Sequence, residues 1–148
     1  MKIIIGADHA GFKVKEHLRK KLEEWGHRVV DAGTDSEAPC DYPDLALKVA
    51  DAVASKQAER GVLICGTGVG TAMAANRVKG VLAATIHDRV TAEMSRKHTN
   101  ANVYCAGAWV RPAGEIEENL RLWLETPFEG GRHDRRVGKI LEQDKRGA

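Results

Sequence analysis

Aromatic residues are scarce in this sequence, at 5% of 148 residues. A surface that binds nucleic acid by stacking many bases on aromatic rings is therefore not expected. Long hydrophobic runs are also missing, since no stretch approaches the ~20 apolar residues that cross a bilayer as a helix. Charge of one sign is not in large excess either, because 23 lysines and arginines against 21 acidic residues leave a net charge of +2. That balance lacks the strong basic patch of a DNA-binding protein and is compatible with a small anionic ligand.

Cysteines are few and form no obvious pair. Cys40, Cys65 and Cys105 are an odd number and contain no CxxC motif. The apolar run at the N-terminus is too short for a signal peptide. We therefore expect reduced thiols in a cytoplasmic protein.

Apolar patterning predicts strands and helices in alternation along one domain, 1–148. Strands are expected at 2–7, 27–32, 61–65, 81–86 and 102–106. Helices are expected at 12–25, 45–54, from 71, at 88–97, at 112–125 and from 134. This order predicts an α/β fold, a Rossmann-like three-layer α/β/α sandwich with a five-stranded parallel sheet. In such sheets ligands bind beyond the carboxyl ends of the strands.

A glycine-rich loop follows the third predicted strand. It consists of Gly66, Thr67, Gly68, Val69 and Gly70. Its glycines allow positive φ angles and expose several backbone N–H groups, which makes the loop a candidate cradle for a phosphate or an oxyanion. The alternative is a tight turn between strand and helix. The loop matches neither the dinucleotide-binding fingerprint nor the P-loop, so triphosphate chemistry is not expected.

Candidate acid–base groups stand at two predicted strand ends. Cys65 closes the third strand beside the glycine loop, where a thiol can act as nucleophile or general base; the alternative is a small buried hydrophobe. Asp8 and His9 follow the first strand and could bind sugar hydroxyls or move protons. Their alternative is a helix cap beside a surface histidine.

Four further residues are candidates with ordinary alternatives. His98 could be an acid–base group or simply a favourable charge at a helix C-terminus. Tyr42 could contact a ligand or occupy a turn. Arg132 and Arg136 are four residues apart, so on a helix they share a face that suits a phosphate; the alternative is a solvated basic tail.

Six segments, in order along nearly the whole chain, resemble one family. They are GADHAGF at 6–12, DYPD at 41–44, LICGTGVG at 63–70, AANR at 74–77, SRKHTNAN at 95–102 and FEGGRHDRRV at 128–137. The chain thereby resembles the type B ribose-5-phosphate isomerases, which are grouped with the galactose-6-phosphate and allose-6-phosphate isomerases. The resemblance implies an aldose–ketose isomerase acting on ribose 5-phosphate and ribulose 5-phosphate through an enediolate. The alternatives are the same isomerisation of a tetrose or hexose phosphate, and a non-catalytic phosphate-binding module.

The resemblance also implies roles for the candidate residues. Cys65 corresponds to the base, the glycine loop with Thr67 to the anion hole, and His98 to the group that assists ring opening. The substrate-contacting and phosphate-holding positions correspond to Asp8, His9, Tyr42, Arg132 and Arg136. No metal or other cofactor is implied, and the candidate residues lack zinc-site spacing.

The resemblance implies a homodimer with shared active sites and leaves tetramer formation open. The C-terminal tail, 129–148, is expected to pack on the partner subunit. Two positions depart from the family pattern and place the identity of the sugar in question. Thr99, still a candidate substrate contact, stands where Asn is usual, and Trp109 stands where an Arg is expected. Arg111, two residues on, is a candidate substitute if the strand continues.

Overall fold

The computed structural model describes residues 1–147 and contains one parallel sheet with helices on both faces. The strands are β1 (Lys2–Ala7), β2 (Arg28–Asp31), β3 (Arg60–Cys65), β4 (Ala83–Thr85) and β5 (Val103–Gly107). All are parallel, in the order β2-β1-β3-β5-β4. The predicted fold class is therefore confirmed.

The helices are α1 (Phe12–Glu24), α2 (Tyr42–Ala54), α3 (Val69–Ala75), α4 (Arg89–Lys97), α5 (Ala113–Glu125) and α6 (Arg132–Leu141), followed by a 3₁₀ turn at Glu142–Lys145. The prediction of helices beginning at 71 and 134 is wrong by two residues in each case. The reason is a glycine with positive φ directly before each helix, at Gly68 (77°) and Gly131 (57°). Each turns the chain early, so that the next residue is already helical. Within the described residues, none of the helices combines the length and the apolar character needed to cross a membrane.

Two hydrophobic clusters cover the two faces of the sheet. Because successive side chains of a strand point to opposite faces, Ile3 and Ile5 belong to a cluster with residues of α1, α4 and α5, whereas Ile4 belongs to one with residues of α2 and α3. Trp123 of α5 and Tyr104 of β5 are fully buried, with their rings edge to face at 5.6 Å. Because helices cover both faces of the sheet, the central strands carry apolar residues at successive positions.

The connections decide which edge of the sheet each candidate residue reaches. Each crossover helix runs back from the carboxyl edge of the sheet to its amino edge. Asp88 caps the beginning of α4 at the carboxyl edge, where its side chain accepts from the Thr91 N–H at 2.8 Å. His98 follows the end of α4, just before the chain enters β5. It therefore lies at the amino edge.

Candidate active site

The carboxyl edge of the sheet collects the first group of predicted residues. Asp8 and His9 follow β1, Cys65 closes β3, and the glycine loop leads from Cys65 into α3. Cys65 is paired in register with Gly107, the last residue of β5. The strand-end location predicted for Cys65 and for the Asp8–His9 pair is therefore correct.

Hydrogen-bond donors surround the Cys65 sulfur. Sγ accepts from the Gly68 N–H at 3.1 Å and lies 3.4 Å from the Thr71 hydroxyl. Cys65 is only 4% exposed, so these groups take the place of water around it. A thiolate at this position would have hydrogen-bond partners, which a proton-abstracting base requires.

The neighbouring Cys105 has a different environment. It is fully buried in the core beneath α3. Burial, the main cause, raises the pKa of its thiol to about 12. Cys105 is thus a protonated structural residue at neutral pH, in agreement with the sequence interpretation.

The glycine loop is held in one shape by its own hydrogen bonds. The Val69 N–H donates to the Thr67 hydroxyl at 3.2 Å, and the Thr85 hydroxyl of β4 donates to the Gly68 carbonyl at 2.9 Å. Thr67 is exposed, and its hydroxyl proton remains available to a ligand. The arrangement fixes the backbone before any ligand arrives, as an anion hole requires.

Two aromatic rings flank the loop. The Trp109 indole lies so close to Gly66 that a Cβ there would be 2.6 Å from the ring, and the Tyr42 ring approaches Gly70 equally closely. The backbone N–H of Trp109 donates to the Gly66 carbonyl at 3.0 Å, which anchors the ring beside the loop. Trp109 is nevertheless 76% exposed. The rings form two walls, and a small ligand on the loop would lie between them.

Asp8 and His9 each use one polar atom to hold the local structure. Asp8 is buried, and its Oδ1 accepts from the Gly11 N–H at 3.1 Å at the beginning of α1. The helix cap considered from the sequence is wrong, because the N-cap of α1 is Gly11 and no side chain caps the helix; the Asp8 bond closes the turn before it. His9 Nδ1 accepts from the Cys40 N–H at 3.2 Å. In the neutral ring Nε2 then carries the proton and can donate to a sugar or phosphate oxygen.

Arg111 does not lie on a continuing strand, as its proposed substitution for the arginine at position 109 assumed. The strand ends at Gly107, so the alternation assumed for a continuing strand does not apply. The chain turns instead, and Arg111 Nε donates to the His87 carbonyl at 2.9 Å. A second contact, 3.7 Å to Glu115, engages the same nitrogen. An indole therefore stands beside the glycine loop where the resemblance implies an arginine.

The second group of residues lies at the amino edge. His98 stacks on His133 with ring centroids 4.3 Å apart and planes 13° apart. Glu129 lies beside them, 3.7 Å from His133 Nε2, and its backbone N–H donates to the Lys97 carbonyl at 3.1 Å. The beginning of the C-terminal tail thus packs against α4 of its own chain.

Ligand-type atoms of His98, Glu129 and His133 all lie within 4.8 Å of one another. Nearly parallel imidazoles do not direct their lone pairs at one point, and Arg132 and Arg136 add positive charge nearby. The cluster is therefore better suited to an anion than to a metal cation.

A buried arginine holds the segment that carries His98. Arg96 donates to the carbonyls of Ala101 at 2.6 Å and Thr126 at 3.2 Å, and to Asn100 Oδ1 at 3.0 Å. Burial lowers the pKa of Arg96 to about 10, which still leaves the side chain charged at neutral pH. These bonds fix the turn after α4 against α5.

The remaining predicted residues belong to the same amino edge. Arg132 and Arg136 are exposed on one face of α6, one turn apart. The Thr99 hydroxyl donates to the Ser95 carbonyl, which closes the last turn of α4. Asp144, farther along the tail, accepts from the Gly80 N–H at 2.8 Å. Ala148 lies outside the described residues.

The two groups cannot meet within one chain. Helix α4 spans nine residues, and at 1.5 Å per residue its ends lie ~13 Å apart. Cys65 and the glycine loop are therefore at the carboxyl edge of the sheet, and His98 with the arginines is at the amino edge. Sequence reasoning missed Glu129 and assigned no role to His133, because no local pattern relates either residue to His98.

Comparisons with known proteins show relatives along nearly the whole chain. The model of the ribose/galactose isomerase family matches residues 3–140. Ribose-5-phosphate isomerase B of Escherichia coli (strain K12) is 40% identical over 145 residues, covering 98% of this chain and 97% of that protein.

Two solved structures are also similar. That of ribose-5-phosphate isomerase B of Clostridium thermocellum superposes with a TM-score of 0.98 at 43% identity and full coverage of both chains. That of the Mycoplasma genitalium enzyme with bound ribulose-5-phosphate has a TM-score of 0.93 at 43% identity, covering 98% of this chain and 97% of that one. This chain belongs to the ribose/galactose isomerase family.

Proposed function

We propose that this protein interconverts ribose 5-phosphate and ribulose 5-phosphate. The observation that carries the proposal is the Cys65 sulfur, held by backbone and hydroxyl donors beside the preformed glycine loop. The ribulose-5-phosphate bound to the Mycoplasma genitalium relative supports the choice of substrate.

The chemistry is the transfer of one proton between neighbouring carbons. In the open-chain aldose, Cys65 as thiolate removes the proton from C2, and the electron pair moves to the carbonyl oxygen at C1. The N–H groups of the glycine loop other than those of Gly68 and Val69, which are already bonded, stabilise the enediolate oxygen that carries the developing charge. The proton then returns to C1, a proton moves between the two oxygens, and the ketose forms. Asp8, His9 and Tyr42 hold the sugar hydroxyls.

The active site is shared between two copies of the chain. Cys65 and His98 of one chain are on opposite edges of its sheet, so a site that uses both needs His98 from a second subunit. That subunit assists ring opening with His98 and holds the phosphate with Arg132 and Arg136, while Thr99 lies next to the sugar. The protein is accordingly at least a homodimer. Part of the tail beyond 129 lies against the partner subunit. The cytoplasm is the proposed location.

One observation favours a second substrate assignment. The Trp109 ring beside Gly66 stands where the family resemblance implies an arginine, so the pocket offers apolar surface instead of a charge. The same isomerisation of another sugar phosphate, such as a tetrose, is the alternative.

The test is turnover of a panel of pentose, tetrose and hexose phosphates by the purified protein, with ketose formation as the measurement. We expect the highest kcat/KM for ribose 5-phosphate. A higher value for another sugar would reassign the substrate, and absence of turnover across the panel would contradict the isomerase function.

A further inference from the structure

The stack between His98 and His133 is the least expected contact at the amino edge. The rings are 4.3 Å apart at their centroids and within 13° of parallel. His133 is only 4% exposed although it lies in the first turn of a helix whose neighbouring residues are exposed. The burial of His133 thus brings its ring against that of His98, with Glu129 3.7 Å from its Nε2.

His133 is more deeply buried than His98. Its backbone N–H donates to the Gly130 carbonyl at 3.0 Å, and Glu129 lies 3.7 Å from its Nε2. The Glu129 N–H in turn donates to the Lys97 carbonyl, next to His98. His98, by contrast, is a partly exposed residue at the end of a helix. The buried His133 ring, stacked on the more exposed His98 ring, therefore limits the orientation of His98.

We propose that His133 is a positioning residue that holds the His98 imidazole in one orientation, ready to act on the ring oxygen of the sugar. The inference rests on the proposed function, because it concerns the step in which the cyclic aldose opens. In this role His133 does not contact the substrate, whereas Arg132 and Arg136 are proposed to bind its phosphate.

The charges around His133 favour its neutral form, in which the ring can stack on His98. Burial, and then the proximity of His98 and Arg132, lowers the pKa of His133, while Glu129 opposes this shift. The charged and titratable groups around the pair are Lys97 and its partner Glu93 on α4, Glu129 in the turn, and Arg132 and Arg136 on α6. His133 is thus neutral at neutral pH, and a neutral ring can stack on His98 whether or not His98 carries a proton.

The substrates separate this role from a merely structural one. Ribose 5-phosphate closes to a furanose through its C4 hydroxyl, so it must open before proton transfer. Ribulose 5-phosphate cannot close in that way because its C5 oxygen carries the phosphate, and it binds already open. A defect in ring opening should therefore lower kcat for ribose 5-phosphate much more than kcat for ribulose 5-phosphate.

The experiment measures kcat in both directions for the wild type, His98→Ala, His133→Ala, His133→Phe and Val137→Ala. Val137 is the other buried residue of α6, so its truncation loosens the helix without removing the ring from His98. Because small displacements of reacting groups can cost ~10²-fold in rate, we expect His133→Ala to lose roughly ten- to a hundredfold in kcat for ribose 5-phosphate. The loss for ribulose 5-phosphate should be clearly smaller. His133→Phe keeps a flat ring that can stack and should recover most of the loss.

Each outcome decides a separate point. If His98→Ala shows the directional loss and His133→Ala does not, the positioning role is overturned while the proposed reaction stands. If Val137→Ala gives the same directional loss as His133→Ala, the effect is structural and the role is again overturned. If the wild type does not turn over ribose 5-phosphate, the proposed function has failed, and the premise of the inference fails with it.

An NMR titration tests the contact without any turnover. In His98→Ala the pKa of His133 should rise toward its ordinary value, because the ring that buries it and repels its charge has gone. An unchanged pKa of His133 would show that the two rings do not stack in solution and would overturn the proposal.

Discussion

Cys65 Sγ accepts a hydrogen bond from the Gly68 N–H at 3.1 Å. The proposed base is thereby bonded to the proposed anion hole, since Gly68 belongs to the loop that would hold the developing oxyanion. Moving the sulfur would disturb both functions together. This coupling makes Cys65 the most informative residue to replace.

Cys65→Ala should abolish isomerisation and leave substrate binding nearly intact. Removing a positioned general acid–base group commonly costs ~10²–10⁴ in rate. The measurement is kcat together with a ligand titration of the variant. Cys105→Ala is the matched control, because that buried thiol stays protonated at neutral pH. Near-normal kcat for Cys65→Ala would contradict its assignment as base.

Arg132→Ala and Arg136→Ala should each weaken binding of the phosphorylated sugar. Charge-assisted hydrogen bonds contribute about 1.5–3 kcal/mol each, so KM should rise by roughly tenfold or more. Arg135→Ala removes one exposed positive charge from the same helix and should leave KM almost unchanged. The comparison substrate is unphosphorylated ribose, and an equal effect on ribose would show that these arginines do not hold phosphate.

Trp109→Arg should change the preference among sugar phosphates. The exposed ring lies against Gly66, so an arginine there would bring a charge to the glycine loop. One new charge-assisted hydrogen bond would shift kcat/KM for ribose 5-phosphate relative to a tetrose phosphate by about tenfold. Trp109→Ala separates loss of the ring from gain of the charge. If both variants keep the wild-type ratio, Trp109 does not contact the sugar.

The fold was predictable because its signals are local. The apolar run at 61–65 needs two buried faces, and the central position of β3 supplies them. The length of β4 was not predictable in this way. The N–H groups of Leu82 and Ala83 donate to the side chains of Asn102 and Asn76. The strand consequently begins two residues later than the pattern of apolar residues indicates.

The candidate site was predictable only in its parts. Cys65 and the glycine loop are neighbours in sequence, so their proximity can be read directly. The contact between His98 and His133 depends on how the tail returns to α4, and no spacing rule relates the two residues. The exposure of Trp109 depends likewise on the turn after Gly107. The sequence identifies the types of residue in the site but does not determine where the fold places them.

Stability should fall as the pH is lowered from about 8 to about 5. Burial lowers the pKa of His133, and burial with the nearby N-terminal charge lowers that of His27. Below the ordinary histidine pKa of ~6.5, the unfolded chain therefore binds more protons than the folded one, and the folded state loses stability. Thermal unfolding at several pH values measures this. In His133→Phe the side chain at this position cannot titrate, so the stability of the variant should depend less on pH. If the pH dependence of stability is unchanged, His133 does not contribute to it.

Subunit exchange tests whether the two edges of the sheet serve one site. With ribose 5-phosphate as substrate, Cys65→Ala and His98→Asn should each have little activity alone, because each removes one group from every shared site. In a mixed dimer one site carries both defects and the other carries neither. Activity should therefore return after random 1:1 exchange to about a quarter of the wild-type value, if the sites act independently. Native mass spectrometry of the mixture verifies that the subunits have exchanged. If the subunits have exchanged and the activity stays at the level of the two parent variants, each site lies within a single chain. The distance between Cys65 and His98 in one chain would then rule out their cooperation.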